Sequence, residues 1–238
     1  MKGQRVVIFG GGSGVGFASA KLLASKGAEV VIAGRDASQM ERAGKELGVT
    51  SKVVDGTNVG DVRGFFDALG AFDHLAIPAG ATNRGGSFVD SITDESFRAT
   101  FDGKFWLQVT VAHTGARSIR KGGSITFFSG GASRKAMPGM ANIAAVNGAL
   151  DAIVPTLAVE LAPTRVNSIS PGTLRTTYWE GTPPAQLDQI FDRMAKSLPA
   201  GRVGTAEDIA NAVLFLVTTT YVTGAVLAVD GGLPHATL

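Results

Sequence analysis

A run of small residues near the start of the chain has the spacing of a phosphate-binding turn. The run, Gly10 to Gly16, joins a β-branched stretch at residues 6–9 to a segment with helical apolar spacing. Glycine lets the backbone turn sharply against a pyrophosphate, and the N-terminus of the following helix offers free N–H groups and a positive dipole end. The run therefore predicts a dinucleotide site formed by Gly10, Gly12, Ser13, Gly14, Val15 and Gly16.

A glycine and an arginine follow the second β-branched stretch, at the point where an acid would select NAD(H). Such an acid accepts hydrogen bonds from the ribose 2′-hydroxyl. Here the chain reads Ala33-Gly34-Arg35-Asp36, and a cation beside an open position suits a 2′-phosphate. We therefore expect Gly34 and Arg35 to contact the cofactor, with NADP(H) preferred over NAD(H). Two alternatives stay open: Arg35 is a solvated charge while Asp36 caps the next helix, or Asp36 reaches the ribose and favours NAD(H).

Short β-branched runs alternate with longer segments of helical spacing along the whole chain. Strands are expected at residues 6–9, 30–33, 52–54, 74–77, 124–128, 165–169 and 225–229. Helices are expected at residues 14–26, 37–47, 59–69, 94–119, 139–161 and 205–217. This alternation predicts an α/β fold of the Rossmann type, with a doubly wound, mostly parallel, seven-stranded sheet covered by helices on both faces. A single domain is expected over residues 1–238, with a substrate rim near 80–92 and a rim or lid near 171–190.

The composition excludes several classes of chemistry. Of the 238 residues 45% are apolar and none is Cys, which excludes disulfides, iron–sulfur clusters, Cys-bound zinc and cysteine nucleophiles. The three His are scattered, so no metal site is expected. The net charge is only +2 and basic residues are not clustered, so no nucleic-acid partner is expected. No signal peptide is recognised and no apolar run reaches the roughly 18 residues of a membrane span, so we expect a cytoplasmic protein without membrane contact.

Several motifs in consistent order resemble those of the short-chain dehydrogenase/reductase family. Gly10, Gly14 and Gly16 fit its glycine pattern, and residues 78–80, Pro-Ala-Gly, resemble the turn after its fourth strand. Residues 165–172, Arg-Val-Asn-Ser-Ile-Ser-Pro-Gly, are similar to its sixth strand. The resemblance implies a nicotinamide cofactor, a small-molecule substrate and a homodimer or homotetramer. It also implies cofactor contacts at Asp55, Gly56, Ala79, Gly80, Asn147, Pro171, Gly172, Leu174 and Thr176.

The residues that perform the family's chemistry are where this chain departs from the resemblance. In the family a Tyr donates a proton to a substrate carbonyl, and a Lys four residues later lowers the Tyr pKa. A Ser orients the substrate oxygen, and an Asn on the preceding helix supports the Lys. Here the Tyr position falls on Ile143, the Lys position on Asn147 and the Ser position on Ser129 or Gly130. The Asn position falls near Asp102.

These substitutions leave Ser129, Asp102 and Asn147 as the catalytic candidates. Asn147 can hydrogen-bond a ribose but carries no charge that would shift a neighbouring pKa. We expect Asp102 inside the crevice and Lys104 on the surface, because residues two apart on an α-helix do not share a face. The source of a proton stays open between water, Ser129, an acidic substrate and a lid group such as Tyr178.

Two functions from different classes fit these residues. The first is an NADP(H)-dependent oxidoreductase with an atypical active site, acting on an unidentified small molecule; hydride transfer depends mainly on placing the cofactor against the substrate. The second is a catalytically inactive nicotinamide-nucleotide-binding protein that acts as a sensor or as a partner subunit. The missing Tyr and Lys motivate the second function, and the glycine turn is common to both.

Overall fold

A seven-stranded parallel sheet forms the centre of the computed structural model, which describes residues 1–80, 85–176, 179 and 181–236. Its strands run in the order β3-β2-β1-β4-β5-β6-β7. They are β1 (Arg5–Phe9), β2 (Glu29–Gly34), β3 (Thr50–Val53), β4 (Phe72–Ala76), β5 (Ile119–Phe128), β6 (Arg165–Pro171) and β7 (Val226–Val229). The strand order reverses between β1 and β4, and ligands of doubly wound sheets bind beside that point. The single-domain Rossmann-type fold predicted from the sequence is confirmed.

Helices connect the strands, and polar side chains mark where several of them begin. Asp36 accepts a hydrogen bond at the start of the second helix, Asn58 at the start of the third and Thr93 at the start of the fourth. The helices are α1 (Gly14–Ser25), α2 (Ala37–Leu47), α3 (Val59–Leu69), α4 (Asp94–Thr100), α5 (Leu107–Gly115), α6 (Ala141–Glu160), α7 (Pro184–Ser197) and α8 (Ala206–Thr218).

Apolar side chains alternate between the two faces of the sheet, and helices bury both sets. On one face, Val7 and Phe9 of β1 pack with side chains of α3, α5 and α6. On the other face, Val6 and Ile8 pack with side chains of α1, α2 and α8. Because both faces are covered, the central strands are apolar on both sides, as parallel strands are in α/β proteins. The core therefore holds the carboxyl ends of the strands rigidly against one another.

The segment predicted as one helix at 94–119 is divided into several pieces. A π-helical turn (Phe101–Trp106) separates α4 from α5, and a 3-10 turn (Ala116–Ser118) follows α5. A π-helical turn holds more residues than an α-helical turn. Side chains within it are therefore rotated away from the positions that α-helical spacing assigns to them, and this rotation changes which of Asp102 and Lys104 faces the sheet.

The rim near 171–190 contains the start of a helix that the sequence reading missed. α7 begins at Pro184, where the fixed φ of proline suits the first helical turn and its missing N–H costs nothing. Its apolar residues Leu187, Ile190, Phe191 and Met194 recur at helical spacing, and Phe191 is fully buried. The prolines that suggested an irregular loop are instead a helix start.

Helix α6 is long and apolar enough to meet a length and composition test for a membrane-spanning helix. In the fold it packs against β6, and Val146, Leu150 and Val154 are fully buried. Pro155 lies within the helix, which continues to Glu160 without a break. These contacts account for part of the apolar character of α6, while Val159 near its end is exposed.

Candidate active site

The glycine run forms a tight turn between β1 and α1. Gly10 has a φ of 97°, a conformation that favours glycine, and its N–H donates to the carbonyl of Ala33 at 2.7 Å. A Cβ on Gly16 would overlap the carbonyl of Gly10, so the first turn of α1 is packed directly against the turn. Ser13 precedes α1 and its hydroxyl does not cap the helix. The N–H groups that open α1 are thus available to an anion.

A cavity of about 530 Å³ lies over this turn at the carboxyl ends of the central strands. Most of the residues predicted to contact the cofactor line it. These are Gly10, Gly12, Ser13, Gly14, Val15, Gly16, Gly34, Arg35, Gly56, Ala79, Gly80, Leu174 and Thr176. Its volume lies within the range of ligand pockets, and its glycine-rich floor leaves backbone groups open to a phosphate chain. The residues present fit a dinucleotide.

Arg35 and Asp36 have different roles at the end of β2. Asp36 Oδ1 accepts the N–H of Gln39 at 2.9 Å and the hydroxyl of Ser38 at 2.7 Å, and these bonds lower the pKa of Asp36. Asp36 is therefore the N-cap of α2. Arg35 is exposed, lines the cavity and makes no hydrogen bond or ion pair within the described residues. Both residues line the cavity, but Oδ1 of Asp36 is already engaged by the start of α2.

Four residues expected to bind the cofactor do not line this cavity. Asp55 Oδ1 instead accepts from the N–H of Thr57 at 2.9 Å and from its hydroxyl at 2.7 Å, bonds that lower the pKa of Asp55 and hold the turn after β3. Gly172 packs against the backbone of Asp230, and Pro171 is the last residue of β6. This turn is packed against the end of β7, and the cofactor contacts expected at Pro171 and Gly172 stay predictions. The fourth residue, Asn147, is buried and accepts a hydrogen bond from Lys104.

Lys104 is directed into the protein beside the Gly80 end of the cavity, and the prediction that it lies on the surface is wrong. Its Nζ donates to the backbone carbonyl of Ser129 and to Oδ1 of Asn147, both at 2.7 Å. Burial lowers the pKa of Lys104 to about 8, and the carboxylate of Asp151 offsets part of that shift. Ile143, four residues before Asn147, shares its face of α6 and is half-buried.

Asp102 points away from the crevice. It is exposed and lines a separate open groove together with Asp94, Arg98 and Trp106. Asp102 was expected inside because the family's Asn position falls near it, and Lys104 outside because α-helical spacing was assumed. The π-helical turn instead directs Lys104 inward. The sequence did contain one signal of this irregular turn. Gly103 is a weak helix former, and it precedes an isolated lysine that lies among aromatic residues.

The hydroxyl of Ser129 is also directed away from the crevice. Ser129 is buried, and its Oγ lies 3.3 Å from Oγ of Ser168 on β6. A Cβ on Gly130 would instead lie 2.9 Å from Nδ2 of Asn147. Gly130 therefore occupies the position from which a side chain would reach the site, and Ser129 contributes its backbone carbonyl. The prediction that the Ser129 hydroxyl meets a substrate is not supported by this geometry.

Asp151 is an acid that sequence reasoning did not single out. It lies one turn after Asn147 on α6, accepts the hydroxyl of Ser133 on Oδ2 at 3.0 Å and contacts the hydroxyl of Ser168 through Oδ1 at 3.3 Å. Its spacing of four residues from Asn147 was visible in the sequence. Asp151 is the counter-charge of Lys104 on the neighbouring helix.

The rim over the crevice is held by an aromatic cluster. The ring of Trp179 packs edge-on against Phe191 at 5.4 Å between centroids, and its Nε1 donates to the carbonyl of Leu174 at 3.0 Å. The guanidinium of Arg175 lies 4.3 Å from the centre of the Phe191 ring. Tyr178, considered above as a proton donor, lies outside the described residues, as do residues 81–84, 177 and 180.

The chain resembles known reductases and dehydrogenases in its match to a family model, in its sequence and in its structure. A family model described as enoyl-(acyl carrier protein) reductase matches residues 10–234. The short-chain dehydrogenase/reductase ATR9 of Stachybotrys chlorohalonatus is 31% identical over 98% of this chain and 97% of its own. The 3-oxoacyl-[acyl-carrier-protein] reductase FabG of Chlamydia muridarum is 30% identical over 97% of each chain. A solved small-chain dehydrogenase in complex with NADPH superposes with a TM-score of 0.86 at 38% identity, over 98% of this chain and 99% of the other.

Proposed function

Since the chain belongs to the short-chain dehydrogenase/reductase family, we propose that it is an NADP(H)-dependent oxidoreductase acting on a small molecule. The cavity over the glycine turn is the cofactor site of this proposal. When bound there, NADP(H) supplies or accepts a hydride. The N–H groups at the start of α1 would hold the pyrophosphate, and Gly80 with Leu107 would line the region nearest Lys104.

The expected preference for NADP(H) rests on the hydrogen bonds of Asp36 and on the position of Arg35. An acid that caps a helix has one oxygen committed to backbone and side-chain donors, which makes it a poorer acceptor for a ribose hydroxyl. The guanidinium of Arg35 matches the geometry of a phosphate. Within the described chain it makes no hydrogen bond or ion pair, and the carboxylate of Asp55 acts on it only electrostatically. The solved relative bound to NADPH supports the same choice for its own fold.

The second function, nucleotide binding without turnover, rests on Ile143 and Asn147. Ile143 has no proton to donate, and Asn147 carries no charge. Lys104 weakens that reading, because it restores a cation to the same part of the site from a different helix. We therefore place the oxidoreductase first and keep the inactive binding protein as the competing outcome.

A binding titration tests the cofactor assignment directly. Nicotinamide fluorescence would be followed as purified protein is added to NADPH or to NADH. We expect NADPH to bind at least tenfold more tightly, and Arg35→Gln to weaken NADPH by about tenfold or more while leaving NADH nearly unchanged, since hydrogen bonds to charged groups are worth roughly 1.5–3 kcal/mol. Arg63→Gln is the matched control, because Arg63 is an exposed arginine on α3 away from the cavity. Tighter binding of NADH would assign the ribose to Asp36 and overturn the proposal.

A further inference from the structure

The Lys104 ammonium is unusual because, among the described residues, it donates hydrogen bonds only to neutral acceptors. Its Nζ is held by a backbone carbonyl and by a carboxamide oxygen, each at 2.7 Å. An ammonium group has three N–H donors. These two bonds use two of them, and no described residue takes the third. A cation held this firmly keeps one proton available for a group that enters the site.

The lysine side chain borders the inner end of the nucleotide cavity. A Cβ on Gly80 would lie 3.2 Å from Cγ of Lys104, so the alkyl chain of Lys104 packs on the backbone of Gly80, which lines the cavity. Gly80 follows β4, whereas Arg35 follows β2 on the other side of β1. The two cations therefore mark opposite ends of the cavity, and a dinucleotide whose 2′-phosphate lies at Arg35 extends toward Lys104.

The charges around Lys104 are few. From α6 the carboxylate of Asp151 acts on it electrostatically, and Asn147 on the same helix is neutral. Lys104 also contacts the carbonyl of Ser129 after β5 and the backbone of Gly80 after β4, and neither group titrates. Asp102, on its own π-helical turn, is exposed on the other side. No described carboxylate forms a direct ion pair with Nζ.

We infer that Lys104 is the proton donor of the proposed hydride-transfer reaction, with the Ser129 carbonyl and Asn147 holding its ammonium toward the substrate oxygen. This inference rests on the proposed function. The positive charge and the proton come from the π-helical turn before α5, instead of from a Tyr and a Lys on α6. The site therefore needs neither residue at positions 143 and 147.

The proton movement balances with a nicotinamide reaction. A hydride from NADPH would bring its two electrons to the substrate carbonyl carbon, and the carbonyl oxygen would gain negative charge. One N–H bond of Lys104 breaks, the electron pair stays on Nζ, and the proton forms the new O–H bond. The neutral amine then takes a proton from water. A carbonyl conjugated to a carbon–carbon double bond places the same charge on oxygen, so both classes of carbonyl compound fit the site.

Physical chemistry supports this role for a half-buried lysine. Its pKa of about 8 is closer to neutral pH than that of an exposed lysine, so at neutral pH the group is protonated yet a stronger acid than usual. The absence of a direct carboxylate partner keeps the charge available for a developing oxyanion, where a preorganised donor in a water-poor site is most effective.

Substitutions at Lys104 and Asn147 separate a proton donor from a structural cation. Rates of NADPH oxidation would be measured from pH 6 to 10 with ethyl pyruvate and with cyclohexenone as probes, alongside NADPH affinity. We expect the parent rate to fall above an apparent pKa near 8, and Lys104→Met to lower it by at least about 100-fold with no remaining step at that pH. Lys104→Arg keeps the charge but cannot release a proton at these pH values, so it should also lose activity. NADPH affinity should change less than tenfold in both variants.

Two further variants complete the experiment. The exchange Lys104→Asn with Asn147→Lys returns an ammonium to the same part of the site, and we expect it to recover at least tenfold over Lys104→Met. Lys121→Met, on an exposed lysine near the start of β5, should behave as the parent. Parental rates and an unchanged pH profile in folded Lys104→Arg would overturn the inference, as would a parent that binds NADPH but reduces neither probe. Failure of the parent to bind NADPH would instead overturn the proposed function.

Discussion

Lys104 shows why residue-level chemistry was the hardest part to obtain from the sequence. Ile143 and Asn147 could be placed from neighbouring motifs, so the loss of the usual acid was predictable. The replacement was not, because it depends on a π-helical turn that moves Lys104 to the sheet and Asp102 to solvent. The spacing of apolar residues gives the average number of residues per helical turn. A π-helical turn of six residues changes that average too little to be recognised from the sequence.

The position of Lys104 beside Asn147 also changes the result expected from restoring the family's Tyr and Lys. Ile143→Tyr with Asn147→Lys would restore the family's pair, but the new ammonium would lie beside that of Lys104. Two like charges in a poorly solvated site repel each other, which favours loss of one proton or displacement of one side chain. A repair of the family arrangement therefore requires Lys104→Asn as well.

His74 gives the fold a pH dependence that is independent of the cofactor. It is buried in β4, its Nδ1 shares a 2.9 Å hydrogen bond with Ser124 Oγ, and Nε2 has no partner within the described chain. Burial, with a smaller contribution from Arg165, lowers the pKa of His74 to about 4. The unfolded chain binds this proton near pH 6.5 and the folded chain only near pH 4, so protonation favours unfolding between those values.

We therefore expect the free energy of unfolding to decrease by up to about 3 kcal/mol from this group as the pH falls from 6.5 to 4. Urea unfolding at pH 7.5 and at pH 4.5 would measure it. His74→Gln should show a smaller pH difference than the parent, whereas His113→Gln, at an exposed position on α5, should retain the parent difference. Equal pH differences in all three proteins would show that His74 does not control it.

At the scale of elements, the join between β1 and α1 decides whether the cavity exists. The sequence predicted this join because the effect of glycine on the backbone is local: Gly10 has a positive φ and Gly16 leaves no room for a Cβ. Helix α7 was missed for the opposite reason. Its first turn contains Pro184, a residue that breaks a helix interior but suits a helix start, and the distinction depends on where the helix packs.

A pair of glycine substitutions tests the role of the join. Gly16→Ala would push the first turn of α1 away from the carbonyl of Gly10, and we expect it to weaken NADPH binding at least tenfold and to destabilise the fold by roughly 1–3 kcal/mol. Gly64→Ala, on the exposed face of α3 where a Cβ meets nothing, should stabilise the fold by roughly 0.5–1 kcal/mol and leave binding unchanged. Thermal melting and fluorescence titration would give both values. Unchanged affinity in Gly16→Ala would contradict a phosphate site at this turn.

At the scale of the whole molecule, the parallel sheet was predictable from the alternation of strands and helices, since the central strands are apolar on both sides and helices cover both faces. Assembly is a proposal that follows from family membership and from exposed apolar side chains. Trp106 on the π-helical turn is 54% exposed and Val159 on α6 is 78% exposed. Isolated apolar residues are common on surfaces, so the proposal needs a measurement of mass in solution.

We expect light scattering to give a homodimer or homotetramer. Trp106→Lys should shift the protein toward the monomer if the π-helical turn and α6 form the contact, because a charge buried in an interface is costly. Val53→Lys, at an exposed position on the edge strand β3, is the control. A parent protein that is monomeric at all concentrations would contradict the proposal.

We propose that one cavity holds NADP(H) between two cations, with Arg35 at its outer end and Lys104 beside its inner end. A crystal structure with bound NADP⁺ tests it most directly. We expect the 2′-phosphate at the guanidinium of Arg35, the pyrophosphate at the N-terminus of α1 and the nicotinamide end beside Lys104 and Asn147. A nucleotide whose ribose hydroxyls bind Asp36, or whose nicotinamide end lies away from Lys104, would contradict it.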